Sequence, residues 1–304
     1  MNNTTSNGLI NVPIEARSIF RVLAIRKVVE NPSLVAELSE RIEEIIKAIP
    51  PASRFDRIKN GKDFLAYRTR HEGSAELKDK ITNMREEDLC RSTYAFFGEC
   101  GGLGTVFDYQ IPLAESRDKG DGVIDMLSLS TDRKTIYVIE AKKWNSTEHP
   151  LRAIFEAITF WRMITDHNED ESMRRSKGKY VFAKSGEQFI KAYNNSRSNM
   201  TPQSKSPIPL PKNISPQNMS KDEIPSGANF VPAILIGENN RKAGSTYNKL
   251  KQASDCYKSL YYAIHKLTGL KCFTYCVNGC DENEIEIKDE TNWLSPKAQA
   301  NFQI

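Results

Sequence analysis

Gly120-Asp121-Gly122-Val123-Ile124-Asp125-Met126-Leu127, followed by Ile136-Tyr137-Val138-Ile139-Glu140-Ala141-Lys142, is the stretch whose reading decides the fold. Both halves read as strands, with turn-like residues at Gly120-Asp121-Gly122 and Thr131-Asp132-Arg133. Side chains alternate along a strand, so Glu140 and Lys142 share a face. The apolar pair Val138-Ile139 marks that strand as buried on both sides. Charges at the end of a buried strand need a partner or a metal, because an isolated charge is costly to desolvate. Asp125 lies on the preceding strand, close enough in a meander to sit beside Glu140. Two adjacent carboxylates repel unless a cation lies between them, and such oxygen donors suit Mg2+ or Mn2+.

Working outward, Val106 to Leu113 reads as a strand before this pair, which makes a three-stranded antiparallel meander over Val106–Leu113, Val123–Ser130 and Thr135–Lys142. A helix is expected over 75–97 ahead of it. Another runs from Pro150 to about Ile164, with Leu151, Ile154, Phe155, Ile158 and Trp161 on one face. Tyr180 to Ala183 reads as a further strand. Nearer the N-terminus, Asn31-Pro32 starts a helix whose Leu34, Val35, Leu38, Ile42, Ile45, Ile46 and Ile49 recur at helical spacing. That greasy face packs on the rest of the fold or meets a second copy in a homodimer.

Residues 194–229 are rich in Pro, Ser and Asn and hold no aromatic side chain. Too little apolar surface is available there to offset the entropy of ordering, so the segment reads as a flexible insertion. The fold resumes at Val231–Ile236. A helix is expected from about Ser245 to Thr268, with Gly269 as its C-terminal cap, and then a hairpin from Lys271–Val277 and Glu284–Ile287. No internal repeat is present.

Asp125, then Glu140-x-Lys142 at the end of an apolar strand, resembles the PD-(D/E)XK nuclease superfamily, the restriction-endonuclease-like proteins. The likeness extends to the order of elements over about 80–185. It implies an α/β fold: a restriction-endonuclease-like core with a central mixed sheet flanked by helices. It further implies that Asp125, Glu140 and the carbonyl of Ala141 bind a divalent metal, Mg2+ or Mn2+, with Lys142 near the attacking water. Many members add a Glu on the helix before the first strand. Glu87 is the choice here, with Glu86 and Glu99 as rivals. Ile124 stands where the motif's name has Pro, and Glu156 and Phe160 stand where some RecB-like members have Gln and Tyr.

The division that follows is 1–74 for a tail and N-terminal helical extension, 75–193 for the nuclease-like core, 194–229 for the insertion, and 230–304 for a strand, helix and hairpin completing the fold. The resemblance implies a metal-dependent endodeoxyribonuclease acting on DNA, in restriction, repair or defence. The alternatives are an inactive nucleic-acid-binding module and a scaffold in which the three charged residues merely pair. Arg174, Arg175, Lys177 and Lys179 form an acid-free basic run able to grip a phosphate backbone. Basic and aromatic residues also interleave over 53–71, from Arg54 to Arg70.

Composition agrees. Of 304 residues, 39% are apolar and 27% charged, the balance of a globular protein. Net charge is +4, which permits a nucleic-acid partner without requiring one. There is no bilayer-length apolar run and no signal-peptide pattern, so a cytoplasmic protein without a membrane partner is expected. Six cysteines are too few for a disulfide scaffold. Cys272, Cys276 and Cys280, with the distant Cys90 and Cys100, leave two readings open: a metal or iron–sulfur site, or small buried hydrophobes.

Overall fold

The computed structural model describes residues 31–49, 85–96, 101–113, 122–165, 175–176, 179–180, 229–239, 242–277 and 285–295. At their centre is a six-stranded sheet of β1 (Thr105–Pro112), β2 (Val123–Leu129), β3 (Thr135–Lys142), β6 (Asn229–Gly237), β7 (Lys271–Val277) and β8 (Ile285–Asp289), in the spatial order β1-β2-β3-β6-β7-β8. β1, β2 and β3 are the expected antiparallel meander. β6 then joins β3 in parallel and β7 joins β6 in parallel, before β8 closes the sheet as an antiparallel edge. The sheet is therefore mixed and flanked by helices, as expected of the α/β class. The parallel centre explains why β3 and β6 read as near-continuous apolar runs: both of their faces are covered.

One face carries α1 (Pro32–Ala48), α3 (Pro150–Ile164), α4 (Thr246–Lys251) and α5 (Asp255–Thr268). Asn31 caps α1 by accepting the Ser33 N–H at 3.1 Å, and Pro32 fills the first turn, where no N–H is needed. Val35, Leu38, Ile42 and Ile46 of α1 enter the same core as Leu260 and Ile264 of α5 and Ala153 and Trp161 of α3. α1 is thus one of the layers of the fold. The fully buried Trp161 ties α3 to the sheet by donating its indole N–H to the Phe230 carbonyl of β6 at 2.8 Å. The opposite face is covered by α2 (Glu86–Phe96) and a 3₁₀ turn (Gly101–Leu103), which bury Leu89, Cys90 and Leu103 against Met126, Ile139 and Phe273.

Three expectations need correction. The single helix over Ser245–Thr268 is two helices, because the chain breaks at 252–254 and Ser254 starts α5 afresh. Asn229 opens β6 and so belongs to the sheet, not to the insertion; residues 194–228 lie outside the described residues. Tyr180 pairs in a separate two-stranded sheet of β4 (Arg175–Ser176) and β5 (Lys179–Tyr180), while 181–183 lie outside the described residues. Gly269 does cap α5 in the left-handed conformation, at φ 74°. The last hairpin is also present, with β8 beginning at Ile285. Among the described residues no helix is long and apolar enough to cross a membrane.

Gly104, which leads into β1, has φ 74°, and a Cβ there would run into the Leu129 carbonyl and stand 2.7 Å from Ser130 Cα. Backbone, not a movable side chain, blocks that space. Gly104→Ala is expected to destabilise the fold by about 2 kcal/mol or more, read as a fall of roughly 4 °C or more in thermal midpoint by circular dichroism.

Candidate active site

The register of β2 on β3 pairs Met126 with Ile139 and Leu127 with Val138. Asp125 and Glu140 follow just beyond the last pair of this ladder, and Glu140 lies on the face covered by α3. The ladder ends there because a side chain intervenes. Asp125 Oδ2 accepts the Ala141 N–H at 2.9 Å, and Oδ1 accepts from Gln110 Nε2 of β1 at 2.8 Å. Gln110 of β1, Asp125 of β2 and the Ala141 backbone of β3 are therefore linked across three adjacent strands. Two residues beyond Glu140, Lys142 projects on the same side, and its carbonyl accepts the Tyr275 hydroxyl of β7 at 3.3 Å.

Helix α3 brings carboxylates to Lys142. Its Nζ donates to Glu140 Oε1 at 2.7 Å and to Glu156 Oε2 at 2.9 Å, and lies 3.2 Å from Glu148 Oε2. The last contact is ionic only, since Glu148 Oε2 is buried without a hydrogen bond. Arg152 closes the far side, with Nε 3.1 Å from Glu156 Oε1 and a terminal nitrogen 2.9 Å from Glu148 Oε1. The spacing Glu148, Arg152, Glu156 is i, i+4 along one helical face. The helix start is fixed by His149, whose Nδ1 accepts the Leu151 N–H at 3.3 Å. Burial and the nearby Lys249 hold this imidazole down at about 4, so it is neutral and free to accept.

From the other face α2 contributes Glu86. Its charge acts on Asp125, on Lys142 and on the buried thiol of Cys90. The expected Glu87 lies beside it in the first turn of α2, and its charge acts on Arg85. Glu99 lies outside the described residues, as do Arg174 and Lys177. Arg175 and Lys179 lie on the two-stranded sheet. Ala141 is fully buried between Glu140 and Lys142, in register with Leu235 of β6.

The electrostatics follow from burial under a surplus of acid. Asp125 is pushed up to about 7 by desolvation, which outweighs the Ala141 N–H and Lys142. Burial and the charge of Asp125 hold Glu140 well above the carboxylate range despite Lys142. Glu156 is held low: desolvation opposes its charge, but Lys142 and a hydrogen bond from Glu140 prevail. Burial works against the Lys142 ammonium too, yet the carboxylates of Glu140, Glu156, Glu86 and Glu148 raise its pKa above the ordinary lysine value.

These side chains present carboxylate oxygens and no sulfur or imidazole, a donor chemistry that fits a hard dication. Among the described residues no group of three or more His, Cys, Asp or Glu side chains is placed to hold a metal ion as a protein cage by itself. Mg2+ needs no such cage, because it commonly takes one or two carboxylates and fills its shell with water and phosphate oxygen. Asp125 and Glu140 supply that number. Among the described residues the cysteines do not gather: Cys90 and Cys272 pack into cores on opposite faces of the sheet and Cys276 is half-buried, while Cys100 and Cys280 lie outside the described residues.

Sequence reading found Asp125, Glu140 and Lys142, which the structure brings together. It missed Glu148, Arg152 and Gln110, and noted Glu156 only as a departure from a family pattern. The i, i+4 spacing of Glu148, Arg152 and Glu156, which runs from just before α3 into the helix, was the available signal. No family model, curated protein or solved structure matches the chain.

A carboxyl group whose folded pKa is raised favours the folded state fully below its unfolded value near 4, and that contribution is lost as pH rises through the folded value. Asp125, at about 7, therefore makes the metal-free protein less stable as pH climbs from about 4 to 8. The expected loss is on the order of 1–4 kcal/mol. Thermal melts in EDTA across that range check it: Asp125→Asn is expected to flatten the slope, and an unchanged slope would contradict the assignment.

Proposed function

We propose that this chain is a metal-dependent endodeoxyribonuclease of the PD-(D/E)XK, restriction-endonuclease-like type, hydrolysing phosphodiester bonds of DNA. The observation that carries the reading is the convergence of Asp125, bound to the Ala141 N–H, with the buried Glu140 and Lys142 on either side of that residue. Chain topology supports it: a helix, three antiparallel strands, a helix and a parallel strand occur in the order the resemblance implies. So does the surplus of buried carboxylate, which a dication would relieve.

Asp125 and Glu140 would hold the ion, with Glu86 contributing to the negative field from α2. When bound, Mg2+ or Mn2+ supplies Lewis-acid polarisation of a phosphate oxygen and a more acidic water. The protein's own groups do the rest. Lys142 keeps its proton in this setting, so its role is to orient the attacking water by hydrogen bonding and to stabilise charge growing on the phosphoryl oxygens. Glu156 lies beside it on α3, its carboxylate held by Lys142 and Arg152. Asp125 and Glu140 fix the position of attack in line with the leaving oxygen, so that one P–O bond forms as the other breaks.

A second reading has its own support. Lys142 already contacts three carboxylates, as it would in a purely structural ion cluster. The readings separate on supercoiled plasmid incubated with Mg2+, Mn2+ or EDTA. Metal-dependent nicking that falls at least about a hundredfold in both Glu140→Ala and Lys142→Ala is the expected result. Binding without cleavage in every condition would favour an inactive nucleic-acid-binding module. Neither binding nor cleavage, with a large loss of thermal midpoint in Lys142→Ala, would favour the structural cluster.

A further inference from the structure

We propose that Gln110 is a positioning residue that fixes the carboxylate of Asp125. Four observations converge on it. Its backbone is left-handed, at φ 52°, a conformation that residues other than Gly, Asn and Asp seldom adopt. Its side-chain amide donates to Asp125 Oδ1 at 2.8 Å. Gln110 is missing from the β1–β2 ladder, flanked by the regular pairs Tyr109 with Met126 and Ile111 with Ile124. Finally, the strand changes faces at this residue. Tyr109 and Ile111 are two apart and would share a face in a regular strand, yet they pack into the two opposite cores. Met126 and Ile124, on either side of Asp125, do the same.

The left-handed residue is thus what turns β1 over and aims the amide at Asp125. With the Ala141 N–H on Oδ2 and the Gln110 amide on Oδ1, both oxygens are held and the plane of the carboxylate is set. Each oxygen keeps a second lone pair for another partner. Gln110 is half-buried and its amide also bonds the Cys90 thiol, so it links the α2 face to the site. A strained backbone held against its own preference is a feature that clusters at functional sites. A side chain that orients a metal-binding carboxylate typically changes metal affinity about 10–100-fold when removed. What the positioned carboxylate would hold rests on the nuclease reading; the positioning itself does not.

Gln110→Gly is the informative variant, because glycine accepts the left-handed backbone while removing the amide. The first arm is a double-mutant cycle of Gln110→Gly with Asp125→Asn, followed by thermal melts of the full chain in EDTA at pH 8. The shifts in midpoint are expected to miss additivity by about 2 °C or more. The second arm is calorimetric titration with Mn2+, where Gln110→Gly is expected to bind about tenfold more weakly than wild type. Additive shifts overturn the proposal. Coupled shifts with unchanged Mn2+ affinity overturn it as well, because the carboxylate would then need no help to bind. Wild-type protein that takes up no Mn2+ sinks the nuclease reading instead, and the cycle by itself then decides whether Gln110 holds Asp125.

Discussion

The site depends on one ammonium group. Lys142 Nζ stands among Glu140, Glu148 and Glu156, and among the described residues Arg152 helps it balance Glu148 and Glu156. The charge of Glu86 acts on both Asp125 and Lys142. A buried group of this kind is a poor source of stability, since desolvation offsets most of the attraction between its members. Packed apolar side chains would hold the end of β3 to α3 more firmly. Burial among these acids instead raises the pKa of Glu140, and that of Asp125 to about 7.

The scaffold explains why this arrangement persists. β3 is covered on both faces, pairs with β6 along its length and with β2 as far as Ile139, so Glu140 and Lys142 are held by a rigid strand. Tyr275 of β7 fixes the Lys142 carbonyl, and the close approach of Trp144 at Gly237 fixes the chain that follows. The turn into α3 is stapled in turn by Thr246, which donates to the Glu148 carbonyl at 2.8 Å. The acids of α3 therefore reach Lys142 from a helix secured at its start by His149 and further along by Trp161.

Much of this was legible in the amino-acid sequence. The meander, α1, α3 and the last hairpin announced themselves through period and turn residues, because each buries one regular face. Asp125, Glu140 and Lys142 were legible for the same reason: charged residues break an otherwise apolar strand pattern, and alternation says which of them share a face. Other features left weaker traces. Ser254 is a helix-starting residue, but the apolar spacing from Leu250 to Leu267 ran through it, and the period outweighed the cap. In the parallel pairing of β3 with β6, 86 residues separate the end of one strand from the start of the other, and no local signal reports which strand will fill that place.

Gln110 shows a deeper limit. A left-handed glycine can be anticipated, because glycine is the residue that adopts the conformation freely. A left-handed glutamine has no such mark: Tyr109-Gln110-Ile111 reads as ordinary alternation, apolar, polar, apolar, and predicts one shared face for its outer members. The fold instead splits them between two cores. The energy to hold that reversal comes from burying Tyr109 on one side and Ile111 on the other, and from the hydrogen bond to Asp125. A sequence pattern records what a residue prefers when its neighbours are average. Here the neighbour is a buried carboxylate with few donors available, and satisfying it outweighs the preference of one backbone position. The same need ends the β2–β3 ladder at Asp125, so a single acid accounts for both irregularities in the meander at this level of the sheet.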